Sequence, residues 1–258
     1  MLRGIYTAAA TMAAQEGRVE IASNNLANAD TAGFKRELVL LGSGPSRLVG
    51  RQEKQSASIP MSSNFYPLNM MTLGNGLWDA ATDMRQGPLK ETGNKLDLAL
   101  SGRGFFSVYT SEGMRFTRSG AFLINSQGFM STLDGGLLLG ESGNPIYIGS
   151  QDFTTSQEGD IYNKDGTYVD KLMIVDFPFP EHLNKIGTSY FEDSPKSGDA
   201  FSITRPKVLQ GYLEGSNLRV VEEMVRMISA LRSYERAQKV VQSYDDTLGR
   251  AVNDVGKI

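Results

Sequence analysis

Cysteine is absent from this sequence, and histidine occurs only once, as His182. Without cysteine the chain cannot form a disulfide, a thiolate zinc site, an iron–sulfur cluster or a thiol nucleophile. A single histidine also excludes metal sites with several histidine ligands, and a Ser–His–Asp triad would depend on that one residue. We therefore expect no metal site in this protein.

Neither sign of charge dominates, because 26 Lys and Arg side chains stand against 29 Asp and Glu. Proteins that bind nucleic acid usually carry a basic stripe or a basic domain, so no nucleic-acid partner is expected. The longest apolar runs, such as Leu172–Val175, are far below the ~18 residues of a transmembrane helix. A cleaved signal peptide is not expected either, since Glu16 closely follows the weakly apolar stretch Ala8–Ala14.

Glycine-rich loops that bind phosphate are not supported by the sequence. Gly102–Gly104 and Gly74–Gly76 each resemble the start of a dinucleotide-binding loop, but Ser107 and Asp79 stand where the last glycine belongs. Phe105–Tyr109 also predicts a strand, whereas the dinucleotide motif requires a helix at that point. We therefore expect no nucleotide and no other cofactor.

A helix over residues 1–30 is predicted from apolar residues that recur at steps of three and four. The positions that we assign to its packing seam are Leu2, Ile5, Met12, Val19 and Leu26. This spacing places them on one side of a helix. Asn28, Asp30 and Gly33 favour turns, so the helix is expected to end among them.

The C-terminal segment 211–258 predicts a longer helix. Ser216 and Asn217 offer N-cap side chains, and Glu222 lies in the first turn, where the helix dipole favours negative charge. The seam of this helix comprises Val220, Met224, Met227, Leu231, Tyr234, Val241 and Leu248. A seam of this length needs a partner helix, so coiled-coil-like packing is expected, with packing on the chain's own domain as the alternative.

The sequence between the helices consists of short apolar pieces separated by turn residues. The chain contains 28 glycines in 258 residues, above the usual ~7%. Residues 31–85 carry scattered Gly and Pro without a regular pattern, which predicts an extended linker. Residues 86–210 alternate short strands with turns such as Asp134-Gly135 and Asp165-Gly166, which predicts an antiparallel β-domain. The expected fold class is α+β, with long N- and C-terminal helices flanking a central antiparallel β-domain.

Four ordered blocks of sequence resemble bacterial flagellar rod and hook proteins. They are Ser23–Arg36, Gly93–Leu100 with Gly104–Phe106, Phe116–Phe122, and Gly211–Asn217 with Glu222–Val225. Within this family the chain is most similar to basal-body rod proteins of the FlgF and FlgG type, because a hook protein would be considerably longer. The proximal-rod FlgF type is favoured over the distal-rod FlgG type, since residues 38–45 differ from the insertion usual in the latter.

The resemblance implies a structural protein without enzymatic activity. It also implies that the protein is exported through the flagellar type III apparatus without a cleaved signal peptide. In the periplasm, the exported protein would then assemble into a rod that transmits torque. The implied partners are copies of the chain itself and other rod and hook proteins, with the terminal helices forming an inner tube. The expected assembly interface therefore comprises both seams and the signature residues Asn24, Asn25, Asn28, Gly33 and Phe34.

A cell-wall glycan hydrolase is the alternative from another class of proteins. Glycoside hydrolysis uses a pair of carboxylates, and several carboxylates lie near predicted turns. They are Asp97, Asp134, Asp160 and Asp165. Asp beside Gly usually serves turn formation, and no nucleophile motif accompanies His182 in its proline-rich loop. A cleft that brings two carboxylates within reach of each other would favour the hydrolase.

Overall fold

The computed structural model describes residues 2–43, 46–51, 66–72, 75–149 and 152–255. The described chain starts with helix α1 (Leu2–Ala27) and finishes with helix α2 (Val220–Val255). Between them lie short strands, and every strand pair with a described register is antiparallel. The predicted α+β class, two helices flanking a central antiparallel region, is therefore confirmed.

The strands are numbered along the chain. The first ten are β1 (Glu37–Ser43), β2 (Ser46–Arg51), β3 (Tyr66–Thr72), β4 (Asn75–Thr82), β5 (Leu89–Glu91), β6 (Leu98–Leu100), β7 (Phe105–Thr110), β8 (Gly113–Thr117), β9 (Phe122–Ile124) and β10 (Met130–Thr132). The others are β11 (Leu137–Leu138), β12 (Phe153–Thr155), β13 (Asp160–Asn163), β14 (Tyr168–Lys171), β15 (Ile174–Asp176), β16 (Asn184–Ile186), β17 (Tyr190–Glu192), β18 (Phe201–Ser202), β19 (Val208–Gln210) and β20 (Tyr212–Glu214). A 3-10 helix, Pro180–His182, lies between β15 and β16.

The largest sheet of the described chain has the strand order β16-β17-β8-β7-β11-β10-β9, and β15 joins it beside β7 and β18. Strand β7 separates two apolar clusters, because successive side chains of a strand point to opposite faces. Phe106 and Val108 belong to a large cluster that includes Phe122 and Met130. Phe105 belongs to a smaller cluster of aromatic and aliphatic side chains on the other face.

The smaller cluster is held together mainly by edge-to-face aromatic contacts. The ring of Phe105 lies 5.5 Å from that of Phe191, and the ring of Phe116 lies 5.0 Å from that of Phe177. Each of these geometries is favourable beyond the area that the rings bury. The hairpin sequences of residues 86–210 are thus organised by apolar packing on both faces of one sheet.

Residues 31–85 contain more regular structure than an extended linker requires. Strand β1 pairs with β4, and β2 pairs with β3 in a hairpin whose register runs from Ser46 opposite Thr72 to Arg51 opposite Tyr66. Frequent Gly and Pro obscure the alternation of apolar residues by which a strand is recognised. The division of the chain into helix, linker, β-domain and helix stays a prediction.

Two compact units are present in the described chain. One comprises the described residues within 1–23, 39–80 and 224–258, and the other comprises those within 24–38 and 81–223. Each unit therefore combines segments from distant parts of the sequence. Within the described residues, no helix has both the length and the apolar character that crossing a bilayer demands.

Candidate assembly surfaces and helix junction

A cluster of polar side chains surrounds the last turn of α1 and the first turn of α2, and we call it the helix junction. Its members are Asn25, Lys35, Arg36, Glu37, Asp83, Arg118, Lys185, Glu214, Asn217 and Glu223. All of them belong to the same compact unit. They come from five separate stretches of sequence, so the cluster forms only in the folded chain.

Glu214, at the end of β20, is the centre of the helix junction. Lys35 Nζ lies 2.7 Å from Oε1 of Glu214, and Arg118 Nε lies 2.7 Å from Oε2. The N–H of Gly87 also donates to Oε1, at 2.9 Å. The three charged side chains are at most 4% exposed, so each charge depends on its partners in place of water. Burial lowers the pKa of Lys35, and the neighbouring Glu214 carboxylate opposes that shift.

Arg118 extends this cluster into the β-region. Its guanidinium donates to the backbone carbonyls of Gly102 and Gly104 as well as to Glu214. Lys35 Nζ likewise donates to the carbonyl of Arg85, at 2.8 Å. The N–H donors of both cations therefore bind backbone carbonyl oxygens in addition to the Glu214 carboxylate. A buried ion cluster is stable only when its remaining hydrogen-bond donors also find partners.

The last turn of α1 is anchored by Asn25, which is fully buried. Its Nδ2 donates to the carbonyl of Glu37 at 2.9 Å, and its Oδ1 accepts the N–H of the same residue at 2.9 Å. Nδ2 also donates to Oε1 of Glu223, in the first turn of α2, at 3.1 Å. An amide side chain carries both an acceptor oxygen and a nitrogen with two donor hydrogens, so it can make all three bonds at once. One residue therefore connects α1, β1 and α2.

Asn217 makes an equivalent connection just before α2. Its Oδ1 accepts the N–H of Arg36 at 2.9 Å, and its Nδ2 donates to the carbonyl of Asp83 at 2.7 Å. Arg36 Nε in turn lies 2.9 Å from Oδ2 of Asp83. Hydrogen bonds from Arg85, and then from Arg36, hold the pKa of the Asp83 carboxyl well below its ordinary value.

We expect the free energy of unfolding to fall in acid because of Asp83. Above the ordinary pKa of 3.8 the carboxyl is ionised in both states, so its contribution is fully present. As the pH drops from about 5 through that value, the unfolded chain binds the proton first, and the contribution is progressively lost. Urea unfolding between about pH 7 and pH 3 should show a smaller loss for Asp83→Asn than for the wild type. Equal losses would contradict this assignment.

Gly33 and Phe34 form the turn that leads from α1 into the helix junction. Gly33 has φ +68°, and its N–H donates to the carbonyl of Glu214 at 2.7 Å. The ring of Phe34 is fully buried, and Lys185 Nζ lies 3.8 Å from its centroid. Lys185 also donates to Oε1 of Glu37 at 2.8 Å. The turn is therefore fixed by backbone, aromatic and ionic contacts at once.

The signature residues predicted for the assembly interface differ in whether they are buried or accessible to solvent. Asn25, Gly33 and Phe34 are buried in contacts within the chain's own fold. Asn24 is exposed, and Asn28 is half-buried with its Nδ2 donating to the carbonyl of Asn24 at 2.9 Å. A single sequence could not separate these roles, because a motif reveals that certain residue types occur together without revealing what they contact.

Small residues lie on the sides of α1 and α2 that face each other. Ala8 and Ala22 are buried on α1, and Ala230 and Ala237 are buried on α2. A Cβ atom on Gly4 would lie 2.5 to 2.8 Å from atoms of the Tyr244 ring, so the start of α1 packs directly on that ring. Small side chains allow two helix axes to approach closely. We call this contact, between the alanine faces of the two helices, the alanine seam.

The predicted C-terminal seam divides between two faces of α2. Half-buried positions, which share the face of the alanine seam, are Met227, Tyr234, Val241 and Leu248. Val220, Met224 and Leu231 are exposed. On α1, the half-buried positions are Ile5, Met12, Val19 and Leu26, while the side chain of Leu2 lies outside the described residues. The apolar pattern selected large residues, whereas the buried apolar positions of the two helices are alanines beside them.

The first turns of α2 carry a contiguous exposed apolar surface. Its members are Val220, Val221, Met224, Val225, Ile228 and Leu231. Val221 is 75% exposed and Val225 is 61% exposed. An exposed apolar patch on a soluble protein marks a site of interaction, because burying it in a partner is favourable. We call this surface the apolar patch of α2.

The residues considered for hydrolysis serve turns or lie open to solvent. Asp97 accepts a hydrogen bond from Oγ1 of Thr92 at 2.7 Å, and Asp160 accepts one from Oγ of Ser156 at 3.0 Å. Exposed positions are Asp134, Asp165 and His182. Among the residues that the structure describes, no three His, Asp or Glu side chains are grouped so that they could hold a metal ion.

The chain is thus an α+β protein with two long end helices, a helix junction and an exposed apolar patch on α2. Three family models match it. They are "Flagella basal body rod protein" over residues 5–35, "Flagellar hook protein FlgE/F/G D1 domain" over 99–151, and "Flagellar basal body rod FlgEFG protein C-terminal" over 209–254.

Curated relatives match the chain over nearly its whole length. The flagellar hook-basal body complex protein FlhO of Bacillus subtilis (strain 168) is 30% identical, with 100% of both chains covered. In Caulobacter vibrioides, the rod protein FlgG is 33% identical over 96% of this chain and 97% of its own, and FlgF is 30% identical over 93% and 92%. The chain therefore belongs to the flagellar basal-body rod protein family. It is a structural protein of the flagellar basal body, the organelle part that serves bacterial motility.

Proposed function

We propose that this chain is a non-enzymatic structural subunit of the rod, which assembles through its terminal helices and transmits torque. Its proposed partners are copies of itself and other rod and hook proteins. The observation that carries the proposal is the apolar patch of α2, because Val221 and Val225 expose large apolar side chains that a neighbouring subunit would bury. Residues 1–30 and 211–258 form the proposed inner helical layer, with coiled-coil-like packing between subunits.

The helix junction supports torque transmission. A torque-bearing subunit needs firm connections between its helix ends and the strands beside them, because a flexible connection would dissipate the strain. Glu214, Asn25 and Asn217 instead connect the helix ends to the β-region through buried hydrogen bonds and ion pairs. Fully satisfied buried networks of this kind favour one rigid arrangement.

We also propose export through the flagellar type III apparatus without a cleaved signal peptide, and a position in the periplasmic part of the basal body. The apolar stretch Ala8–Ala14 lies inside α1, where both named alanines are buried. Removing this stretch as a leader would delete Ala8, one of the two alanines that α1 contributes to the alanine seam. Its place in the folded helix supports retention in the mature protein.

The proximal position of the FlgF type is proposed from the sequence of residues 38–45. The relatives named FlgG and FlgF in one organism match this chain at 33% and 30% identity, which are too similar to separate the two types. A basal-body reconstruction in which this chain can be traced tests the proximal against the distal position.

The absence of catalysis is proposed because the two aspartates that line a cavity of about 730 Å³ are both engaged in ion pairs. Asp83 pairs with Arg36, and Asp176 pairs with Arg103, with 2.9 Å between the nearest atoms in each case. The depressed pKa of Asp83 leaves it ionised at neutral pH, so it cannot donate a proton as glycoside hydrolysis requires. This argues against the hydrolase alternative.

The double substitution Val221→Glu and Val225→Glu is expected to abolish rod assembly and motility. Two charges would have to be buried without partners in the subunit contact, which costs several kcal/mol. Because both side chains are exposed in the single chain, the thermal unfolding midpoint should stay within a few degrees of the wild type. Motility plates and electron microscopy of basal bodies measure the loss.

Leu133→Glu is the matched control, since Leu133 is 73% exposed in the β-region and outside the apolar patch. It should leave motility and basal-body morphology at wild-type levels. Normal motility of the Val221→Glu, Val225→Glu strain would overturn the proposed assembly surface.

A further inference from the structure

A pocket of about 350 Å³ opens on the β-region beside the turn that follows α1. Its wall comes from four stretches that are distant in sequence, within residues 30–32, 117–121, 132–134 and 188–190. All of them belong to one compact unit. Sites for small molecules usually measure ~300–1,000 Å³. We call this site the hydroxyl pocket, because the hydroxyl-bearing residues that line it are Thr31, Thr117, Ser119, Thr132, Thr188, Ser189 and Tyr190.

The base of the hydroxyl pocket is fixed by hydrogen bonds within the fold. Tyr190 Oη lies 2.6 Å from Oγ1 of Thr132, which accepts the N–H of Gly136 at 2.9 Å. Thr117 Oγ1 donates to the carbonyl of Ser189 at 2.8 Å. Three of the lining hydroxyls are thus engaged before a ligand arrives. The pocket is therefore preformed, and a ligand loses little free energy in ordering it.

Other polar groups of the hydroxyl pocket are open to a ligand. The hydroxyl of Ser119 and the carboxylate of Asp30 form no hydrogen bond within the described part of the chain. The side chains of Thr188 and Ser189 bond only with each other, at 3.3 Å between the hydroxyl oxygens. Asp134 is exposed to solvent. These groups offer a ligand both donors and acceptors.

The charge of the lining determines which ligands fit. Burial raises the pKa of Tyr190, and the neighbouring Asp134 carboxylate adds to that rise, so Asp134 lies beside the base of the pocket. Asp30 is the second carboxylate, and no cationic side chain is among the described residues that line the pocket. An anionic ligand would meet two like charges. An ammonium has only donors and would leave the Ser and Thr hydroxyls without an acceptor, whereas a sugar hydroxyl both donates and accepts.

We propose that the hydroxyl pocket binds a neutral saccharide. The carboxylates of Asp30 and Asp134 accept hydrogen bonds from sugar hydroxyls, and the hydroxyl of Ser119 donates to a sugar oxygen. The methyl groups of Ala32 and Ala121 line the same pocket and offer apolar contact to the C–H groups of the sugar ring. This binding goes beyond the proposed structural role and does not depend on it.

The two carboxylates of the pocket favour binding without cleavage. Glycoside hydrolysis needs one carboxyl group that stays protonated, which an apolar environment provides. Asp30 and Asp134 are both exposed to water. They therefore serve as acceptors that hold the saccharide, and a bound saccharide should be recovered intact.

Titration of the purified full-length chain tests the proposal. The probes are chitotetraose, an oligomer of β-linked N-acetylglucosamine, and maltotetraose, an oligomer of α-linked glucose. Cadaverine is the cationic comparison. Isothermal titration calorimetry measures each dissociation constant, and chromatography of the recovered probe detects cleavage. Binding of either saccharide supports the proposal, and the preferred one shows whether an amino-sugar polymer or a glucan is the source.

Two substitutions locate the binding in the pocket. Asp30→Ala and Asp134→Ala should each weaken saccharide binding about tenfold, as expected for losing one hydrogen bond to a charged group. Asp165→Ala is the matched control, because Asp165 is also exposed and, like Asp134, precedes a glycine in a turn, but lies outside the pocket. It should bind the saccharide as the wild type does. Thermal unfolding of each variant checks that the fold is retained.

Four results would each overturn the proposal. They are no binding of either saccharide to the wild type, tighter binding of cadaverine than of both saccharides, unchanged affinity in both pocket variants, and release of a cleaved product. None of these results bears on rod assembly, so the proposed structural function is tested separately.

Discussion

Glu214→Gln is expected to lower the free energy of unfolding by about 3–5 kcal/mol, the cost of leaving buried charges without their partner. The substitution keeps the shape of the side chain but removes the negative charge between Lys35 and Arg118. Both cations are nearly inaccessible to water, so solvent cannot replace the lost carboxylate. Urea unfolding, followed by circular dichroism, measures the change as a lower midpoint at an unchanged slope.

The control for this experiment is Asp152→Asn, which breaks an ion pair that is exposed. Lys95 Nζ lies 2.9 Å from Asp152, but the two side chains are 58% and 54% exposed. Water and salt screen such a pair, so the urea midpoint of this variant is expected to stay close to that of the wild type. A Glu214→Gln effect as small as that of the control would show that the cluster is not a source of stability. Loss of motility should accompany the loss of stability at Glu214.

Gly33→Ala is expected to destabilise the fold by at least about 3 kcal/mol. A Cβ at this position would lie 2.3 Å from the backbone N of Ser119, and backbone cannot rotate aside as a side chain can. The left-handed φ of +68° adds a strain that a residue with a Cβ tolerates poorly. The turn would therefore shift, and the bond from Gly33 to Glu214 would be lost with it.

Gly93→Ala separates these two causes. Gly93 has φ +72°, almost the same as Gly33, but its missing Cβ faces open space. Only the conformational strain applies there, so we expect a loss of about 1–2 kcal/mol. The difference between the two variants measures the crowding at Gly33. Equal losses would mean that the contact with Ser119 relaxes freely.

The helices and the β-region were predictable from sequence because each has a strong local signal. The steps of three and four in residues 220–248 persist through α2, and turn dipeptides such as Asp134-Gly135 lie in the turn between β10 and β11. Strands β1–β4 were missed as regular elements, since their Gly and Pro content is that of a loop. Local patterns thus identified element types but not their pairing.

The helix junction and the alanine seam could not be predicted in the same way. Glu214, Arg118 and Lys35 are ordinary charged residues until the fold brings each of the two cations within 2.7 Å of the Glu214 carboxylate. The seam depends on Ala8 and Ala237, which an apolar pattern ranks below leucine and valine. Burial and pairing depend on contacts distant in sequence, and a single sequence contains no record of those contacts.

The bond between Asn25 and Glu223 has a consequence for how the chain acquires its structure. The two residues are 198 positions apart, and Lys35 and Glu214 are 179 apart. Closing loops of that length costs chain entropy before any contact forms, so such pairs form late and slowly. During synthesis from the N-terminus, the last turn of α1 waits for residue 223 before its anchor exists. The last turn of α1 is therefore fixed in place only after the start of α2 has been synthesised.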